Sequence, residues 1–514
     1  MALPQDFARH SQGLGILRNP WILGITLLTG LLHLAVAGRY DIFRNELYFI
    51  VCGRHPAFSY VDQPPLVPLL AALTQIFGIH VWLLRLPAVI AAAALVPVTG
   101  DLARRLGGNT ASAIFAAASA ALAPALIGMT IATTTATFEP IAWTLCAYAL
   151  ARAIIDGEDR AFLWAGIVAG LAMEAKYGIA FWLIGLAVGL LLTETRAAFF
   201  RLRFWQGFFI CTAIALPSLL WQTVHHWPFL ELIHNKNLAG ANLTGAPLHF
   251  EIGQILALNL VLWPLWATGV VAPFISKRLA KARFLSIAFI VATVLVFATG
   301  GKDYYLFPVY PAMFAVGAVA CSGLQKWILS TWLAVAALQT LILAPLVLPI
   351  LSPPDLAAYL EAPHMRPPPD EAAAVGAPLT QVFSDELGWR DLEHHVAAIY
   401  RSLPQSEQRR VAIFTWNYGE AAAIDVYGRA DGLPAAISGQ NQYYLWGPRG
   451  HDGSVMIVVN GDPERWQGLC RNLDVAGTFG VPYAMPYENG RPIFLCRGLR
   501  SDLSAIWYQF KRYQ

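Results

Sequence analysis

The sequence predicts a polytopic α-helical membrane protein, with about 11 transmembrane helices, followed by a C-terminal soluble α/β domain. Three observations predict it. Charged residues make up 13% of the 514 residues and hydrophobic ones 57%, against roughly 25% charged in a typical soluble domain. Apolar runs near the length that a bilayer requires recur from residue 20 to residue 349. Beyond about residue 350 prolines cluster, and the pattern turns charged and mixed. Mean hydropathy is +0.51. The 17 tryptophans suit a protein with two membrane interfaces. Such apolar content excludes intrinsic disorder. A net charge of +3 with no dense basic stripe argues against a nucleic-acid partner.

Taken in order, the spans read as 20–38, 81–103, 109–127, 137–155, 161–177, 179–194, 205–223, 249–273, 284–299, 306–323 and 327–349. The first run, Trp21–Ala37, has no small-residue cleavage site and reads as a retained helix rather than a signal peptide. Leu66–Gly78 is apolar but too short to span, so it is expected to lie in the membrane interface. With the N-terminus (Arg9, Arg18) cytoplasmic, fourteen lysines and arginines fall on the inner side and seven in the short outer loops. Counting Leu66–Gly78 as a full span would reverse that bias. The odd number of spans then places the C-terminus outside.

The expected organisation is a transmembrane domain over 1–350 with a first outer loop at about 38–80, a Pro-rich linker over 351–369, and an outer α/β domain over 370–514. In the last of these, Val411–Trp416 and Val455–Asn460 read as strands, and Leu387–Leu403 and Pro463–Leu473 as helices. Of six cysteines, Cys470 and Cys496 both fall in this outer domain. An oxidising compartment would favour a disulfide between them; two buried free thiols are the other reading. No cysteine or histidine spacing suggests a structural metal.

Three clusters can carry chemistry. The first loop holds Asp41, Asn45, Glu46, Tyr60, Asp62 and Gln63 with three arginines. Ionisable groups beside lipid usually face a cavity or a partner, and a carboxylate there can act as a base on a hydroxyl. Loop-stabilising ion pairs such as Asp41 with Arg44 are the alternative. Glu139, before Pro140, is a lone acid in an apolar context; an N-terminal helix charge is its plainer reading. Lys176, Lys236, Lys302 and Arg85, with Tyr304 and Tyr305, form a basic set on the same predicted face. Together they suit a phosphate or diphosphate; singly, each lysine can snorkel to membrane lipid headgroups. No nucleotide-binding or metalloprotease motif is present. An outer-face reaction has no nucleotide donor, so an activated substrate would arrive on a lipid carrier. A sequon, Asn242–Leu243–Thr244, is also present.

Four motifs carry a family resemblance: Asn45–Glu46–Leu47–Tyr48, Tyr60–Val61–Asp62–Gln63–Pro64–Pro65, Lys176–Tyr177–Gly178, and Gly301–Lys302–Asp303–Tyr304–Tyr305–Leu306–Phe307–Pro308–Val309–Tyr310–Pro311. Over roughly 20–350 the chain resembles the bacterial dolichyl-phosphate-mannose-protein mannosyltransferase-like family, glycosyltransferase family thirty-nine, and is similar to the lipid A aminoarabinose transferases. The resemblance implies a GT-C fold in a bacterial inner membrane with a periplasmic C-terminal domain. It implies transfer of a sugar from a polyprenyl-phosphate donor to a hydroxyl of a lipid, glycan or protein acceptor, with inversion. Family members carry an Asp–Glu pair in the first loop. Here Asn45 replaces the first acid, and an amide cannot take a proton from a hydroxyl. The base then falls to Glu46, Asp62 or Asp41, with the family's second acid near Glu139. The relatives' phosphate-holding lysine is Gln63 here, which shifts that load to Lys176, Lys236, Lys302 and Arg85. No cofactor or metal is required, although the carboxylates leave a divalent ion open. A flippase of lipid-linked substrates and a non-catalytic relative are the alternative functions.

Overall fold

The structure, a computed structural model, describes residues 15–240, 247–362, 365–367, 369 and 374–514, without the side chains of 247–249. Arg9, the Asn242–Leu243–Thr244 sequon, Pro363 and Pro368 lie outside the described residues. The chain divides into two compact units, each assembled from three separated stretches.

The first unit comprises Met1–Ala37, Arg85–Leu216 and Thr244–Leu348 and is helical. Every apolar run in it that the sequence marks as a span contains a helix. Among the described residues, the helices long and apolar enough to cross a bilayer unaided are Val81–Arg105, Leu202–Val224, Lys277–Ala298, Asp303–Gly323 and Lys326–Val347. Ile179–Leu191 and Glu194–Phe200 together would make another, bent by 106°. The other apolar helices are shorter, including Pro20–Val36, Thr110–Ala121, Ala161–Ala175 and Trp263–Ile275. Leucines on these helices face outward; Leu31 is 64% exposed and Leu341 70%. Apolar surface of that extent is tolerated in lipid, not in water. The protein is a multi-pass membrane protein. Inside the unit, packing relies on small residues. A Cβ on Gly185 or Gly189 would collide with the backbone of Arg283–Ala298, so the two helices touch main chain to main chain.

The second unit comprises Gly38–Leu84, Pro217–Leu243 and Pro349–Gln514. Its first stretch holds the helix Arg44–Arg54 and then the nine-residue helix Leu66–Thr74, which tightens into a 3-10 turn at Gln75–Phe77. The apolar segment read as interfacial is thus a helix too short to span. Pro353–Leu360, inside the Pro-rich stretch, is helical: its prolines occupy the first turn and Ser352 caps it.

The last stretch builds a five-stranded sheet: β1 (Ala412–Thr415), β2 (Ile437–Ser438), β3 (Val455–Val459), β4 (Cys470–Phe479) and β5 (Arg491–Leu499), in the order β2-β1-β3-β5-β4. β2, β1 and β3 are parallel; β5 and β4 add antiparallel. The helix Tyr418–Tyr427 makes the crossover from β1 to β2. Phe414, Val458, Trp466, Phe494 and Phe510 share one buried cluster of the domain. The helix read over Leu387–Leu403 forms as Trp389–Ser402. Pro463–Leu473, by contrast, is divided: the helix stops at Leu469 and β4 begins at Cys470. Pairing with β5 along the whole of β4 overrides the local helical pattern. Cys470 and Cys496 are joined by a disulfide with Cα atoms 5.8 Å apart, tying β4 to β5. Cys52, Cys146, Cys211 and Cys321 are free thiols.

Candidate functional site

The candidate residues fall in two sets, one within each unit. In the helical unit the centre is Lys176, at the C-terminal end of the helix Ala161–Ala175. Its Nζ donates to Glu139 Oε2 at 2.6 Å, and Glu139 opens the helix Glu139–Ile154 with Pro140 in its first turn. The sequence therefore places this acid where the helix N-terminus favours negative charge. The same Nζ lies 5.1 Å from the Tyr304 ring centre and 4.5 Å from that of Tyr305. Lys302 Nζ is 5.6 Å from the Tyr304 ring, and the two tyrosines pack edge to face. Two ammonium groups thus share one aromatic wall with one carboxylate, and ring faces stabilise cations where water is scarce. Ammonium groups of this kind are suited to contacting an anion. Arg85 is 1% exposed and donates to the Ala37 carbonyl at 3.0 Å.

In the second unit the centre is Asp62. Tyr48 donates its hydroxyl to Asp62 Oδ1 at 3.0 Å, and Asn441 donates its amide to Oδ2 at 3.2 Å. Burial pushes the carboxyl up to about 6, while these hydrogen bonds and the charge of Lys236 pull the other way. Asn441 holds a left-handed backbone (φ 47°), a strained state that asparagine tolerates and that collects at functional sites. The loop around Asp62 is clamped elsewhere too. Gln222 donates to Ser59 Oγ and the Tyr60 carbonyl, and Val61 N–H donates to Gln442. The Tyr60 hydroxyl donates back to the Cys52 carbonyl, and the buried Gln63 accepts from Tyr60 N–H. Lys236 sits on the helix Pro228–Leu238, which Asn235 ties to the Tyr513 carbonyl.

The other first-loop groups are engaged locally. Glu46 is fully buried and accepts from Phe43 N–H at 3.0 Å, capping its own helix. Asn45 accepts from the Tyr418 hydroxyl. Asp41 pairs with Arg390 at 2.9 Å and accepts from Tyr427. Tyr48, Asn441 and Gln222 are the site residues that sequence reasoning left without a role; an amide or phenol far along the chain carries no spacing signal. Among the described residues, one cluster has metal-ligand geometry: Glu393, His394 and Asp431. Arg401 already neutralises Asp431 there.

The helices and the C-terminal sheet together make a multi-pass membrane fold. Residues 62–221 match the family model described as dolichyl-phosphate-mannose-protein mannosyltransferase. The fold is that of the ArnT structure from Cupriavidus metallidurans bound to undecaprenyl phosphate: TM-score 0.59, 12% identity, covering 93% of this chain and 98% of that one. The apo ArnT structure from the same organism gives TM-score 0.59 at 14% identity, with the same coverage. No curated protein matches the chain.

Proposed function

We propose that the chain is a membrane glycosyltransferase that moves a hexosyl or pentosyl group from a polyprenyl-phosphate carrier to an acceptor hydroxyl. The observation that carries this reading is the span of the family match, 62–221, which includes Asp62, Glu139 and Lys176. The fold shared with a protein that binds undecaprenyl phosphate supports the donor class.

In the proposed reaction the acceptor oxygen attacks the anomeric carbon as the bond from that carbon to the phosphate oxygen breaks. Attack opposite the leaving group inverts the centre. Asp62 takes the acceptor proton; its carboxyl, poised near 6, is ionised at neutral pH and basic enough to share a proton in the transition state. We assign the base to Asp62 over Glu46, because Glu46 is committed to its helix cap. Lys176 and Lys302 stabilise the charge growing on the leaving polyprenyl phosphate, usually the largest electrostatic demand of such a transfer. With two ammonium groups in that role the reaction needs no metal. The setting we infer is the bacterial inner membrane, with the N-terminus cytoplasmic and the C-terminal domain periplasmic. Acceptors would be lipid, glycan or protein hydroxyls.

The test uses purified protein, a radiolabelled polyprenyl-phosphate sugar and candidate acceptors, reading release of polyprenyl phosphate. Transfer that is lost in D62N and K176M supports the reading. Full transfer in D62N overturns the base, and movement of the lipid across a vesicle membrane without sugar release overturns the transferase.

A further inference from the structure

The sheet of the C-terminal domain offers a second site. From β1 the chain crosses to β2 on one side, and β3 lies on the other. In open α/β sheets the crevice beyond the carboxyl ends of two such strands is where ligands settle. A cavity of about 590 Å³ lies there, lined by Trp416 and Asn417 after β1 and by Asn460 and Gly461 after β3. That volume is in the range of small-ligand pockets.

Its charge is unbalanced. Arg491 and Arg512 line the cavity, and neither has a carboxylate within ion-pair distance among the described residues. Arg512 lies over the Trp416 indole at 3.9 Å and donates Nη2 to the Trp416 carbonyl. Its Nε is buried and has no hydrogen-bond partner. Burial pushes the guanidinium down to about 10, which leaves it cationic at neutral pH. The charge of the buried Glu420 acts on it, but no carboxylate pairs with it directly, and a desolvated cation without a direct partner is costly. The other lining charges are matched. Arg44 faces Asp385 at 3.5 Å and donates to the Tyr487 hydroxyl. Asp462 caps its helix by accepting from Glu464 N–H. The walls also combine ring faces, Trp416 and Tyr418, with the amides of Gln440 and Asn460, a mixture that fits the apolar faces and hydroxyl edges of a sugar ring.

We propose that this crevice binds a short anionic saccharide, a sugar carrying a carboxylate or a phosphate, with the anion on Arg512 and Arg491. The cavity borders the Asp62 cage, because Tyr418 packs on the Tyr48 ring at 4.7 Å and Gln514 N–H donates to Asn441, and its test reads binding alone. Full-length protein in detergent is titrated calorimetrically with digalacturonate, glucose 6-phosphate, neutral maltose and inorganic phosphate. At least one acidic sugar binds saturably and ten-fold or more tighter than both maltose and inorganic phosphate; which one wins separates the carboxylate source from the phosphate source. Arg512→Gln and Arg491→Gln each weaken it ten-fold or more. Arg491 is exposed, so R491Q keeps the reading falsifiable where R512Q fails to fold. Maltose or inorganic phosphate binding as tightly as the acidic sugars, no saturable binding of either, or wild-type affinity in folded R491Q overturns the proposal.

Discussion

The two candidate clusters hold their buried charge in opposite ways. In the helical unit, Lys176 meets a full counter-charge, Glu139, at 2.6 Å and leans on two tyrosine rings. In the other, Asp62 is held by neutral donors, Tyr48 and Asn441. A direct ion pair fixes both protonation states and makes each partner hostage to the other. A neutral cage leaves the carboxyl free to gain and lose a proton near neutrality. The first arrangement suits holding an anion; the second suits proton transfer.

The comparison breaks most visibly at Lys176. K176M leaves Glu139, whose side chain is 4% exposed, without its partner. Stripping one member from a buried pair costs about 3–5 kcal/mol, so the melting temperature should fall steeply and transfer be lost. The double variant E139Q/K176M should recover stability and not transfer. Recovery of both would reduce the pair to a structural strut.

Next in size is the disulfide, which exists in the second unit alone among the described residues. Closing a 26-residue separation is worth roughly 3–4 kcal/mol in the chain-entropy view. C470S/C496S should therefore lower the melting of the C-terminal domain and leave the helical unit's transition in place, which differential scanning calorimetry can resolve.

D62N should lower transfer about a hundred-fold or more, the usual worth of a positioned base, without lowering stability. The sign follows from the raised carboxyl. The folded state prefers the neutral acid, so that contribution is full below the ordinary 3.8 and is lost as pH climbs through about 6. The amide keeps the neutral form, and above pH 6 D62N should melt no lower than wild type. In the wild-type enzyme the transfer rate should climb as pH is raised through about 6. A flat profile from pH 5 to 8 would remove Asp62 as the base. The smallest effect is R390A, which breaks an ion pair whose Arg390 side chain is 55% exposed. A change within about 1 kcal/mol is expected by chemical denaturation.

Much of the fold was legible because apolar run length and loop charge are long, redundant signals. The presence of a helix at each apolar run, the short helix at Leu66–Thr74 and the strands β1 and β3 were readable in this way. β4 was not, because its faces are mostly solvated and its conformation comes from pairing with β5. At the site, Lys176, Glu139, Asp62 and Lys302 stood out as ionisable groups in apolar surroundings. Tyr48, Asn441 and Gln222 did not, since their importance lies in contacts made across separations of 14, 379 and 163 residues. Glu46 shows the converse: an acid conspicuous in the sequence that accepts a bond from its own helix start.

The cage around Asp62 also sets an order of events during synthesis. Tyr48 emerges early, but Asn441, the first residue of the helix Asn441–Trp446, emerges only after most of the chain has been made. Until then the first loop lacks its amide donor to Asp62. A chain whose translation stalls before Asn441 would therefore carry the first loop without that clamp.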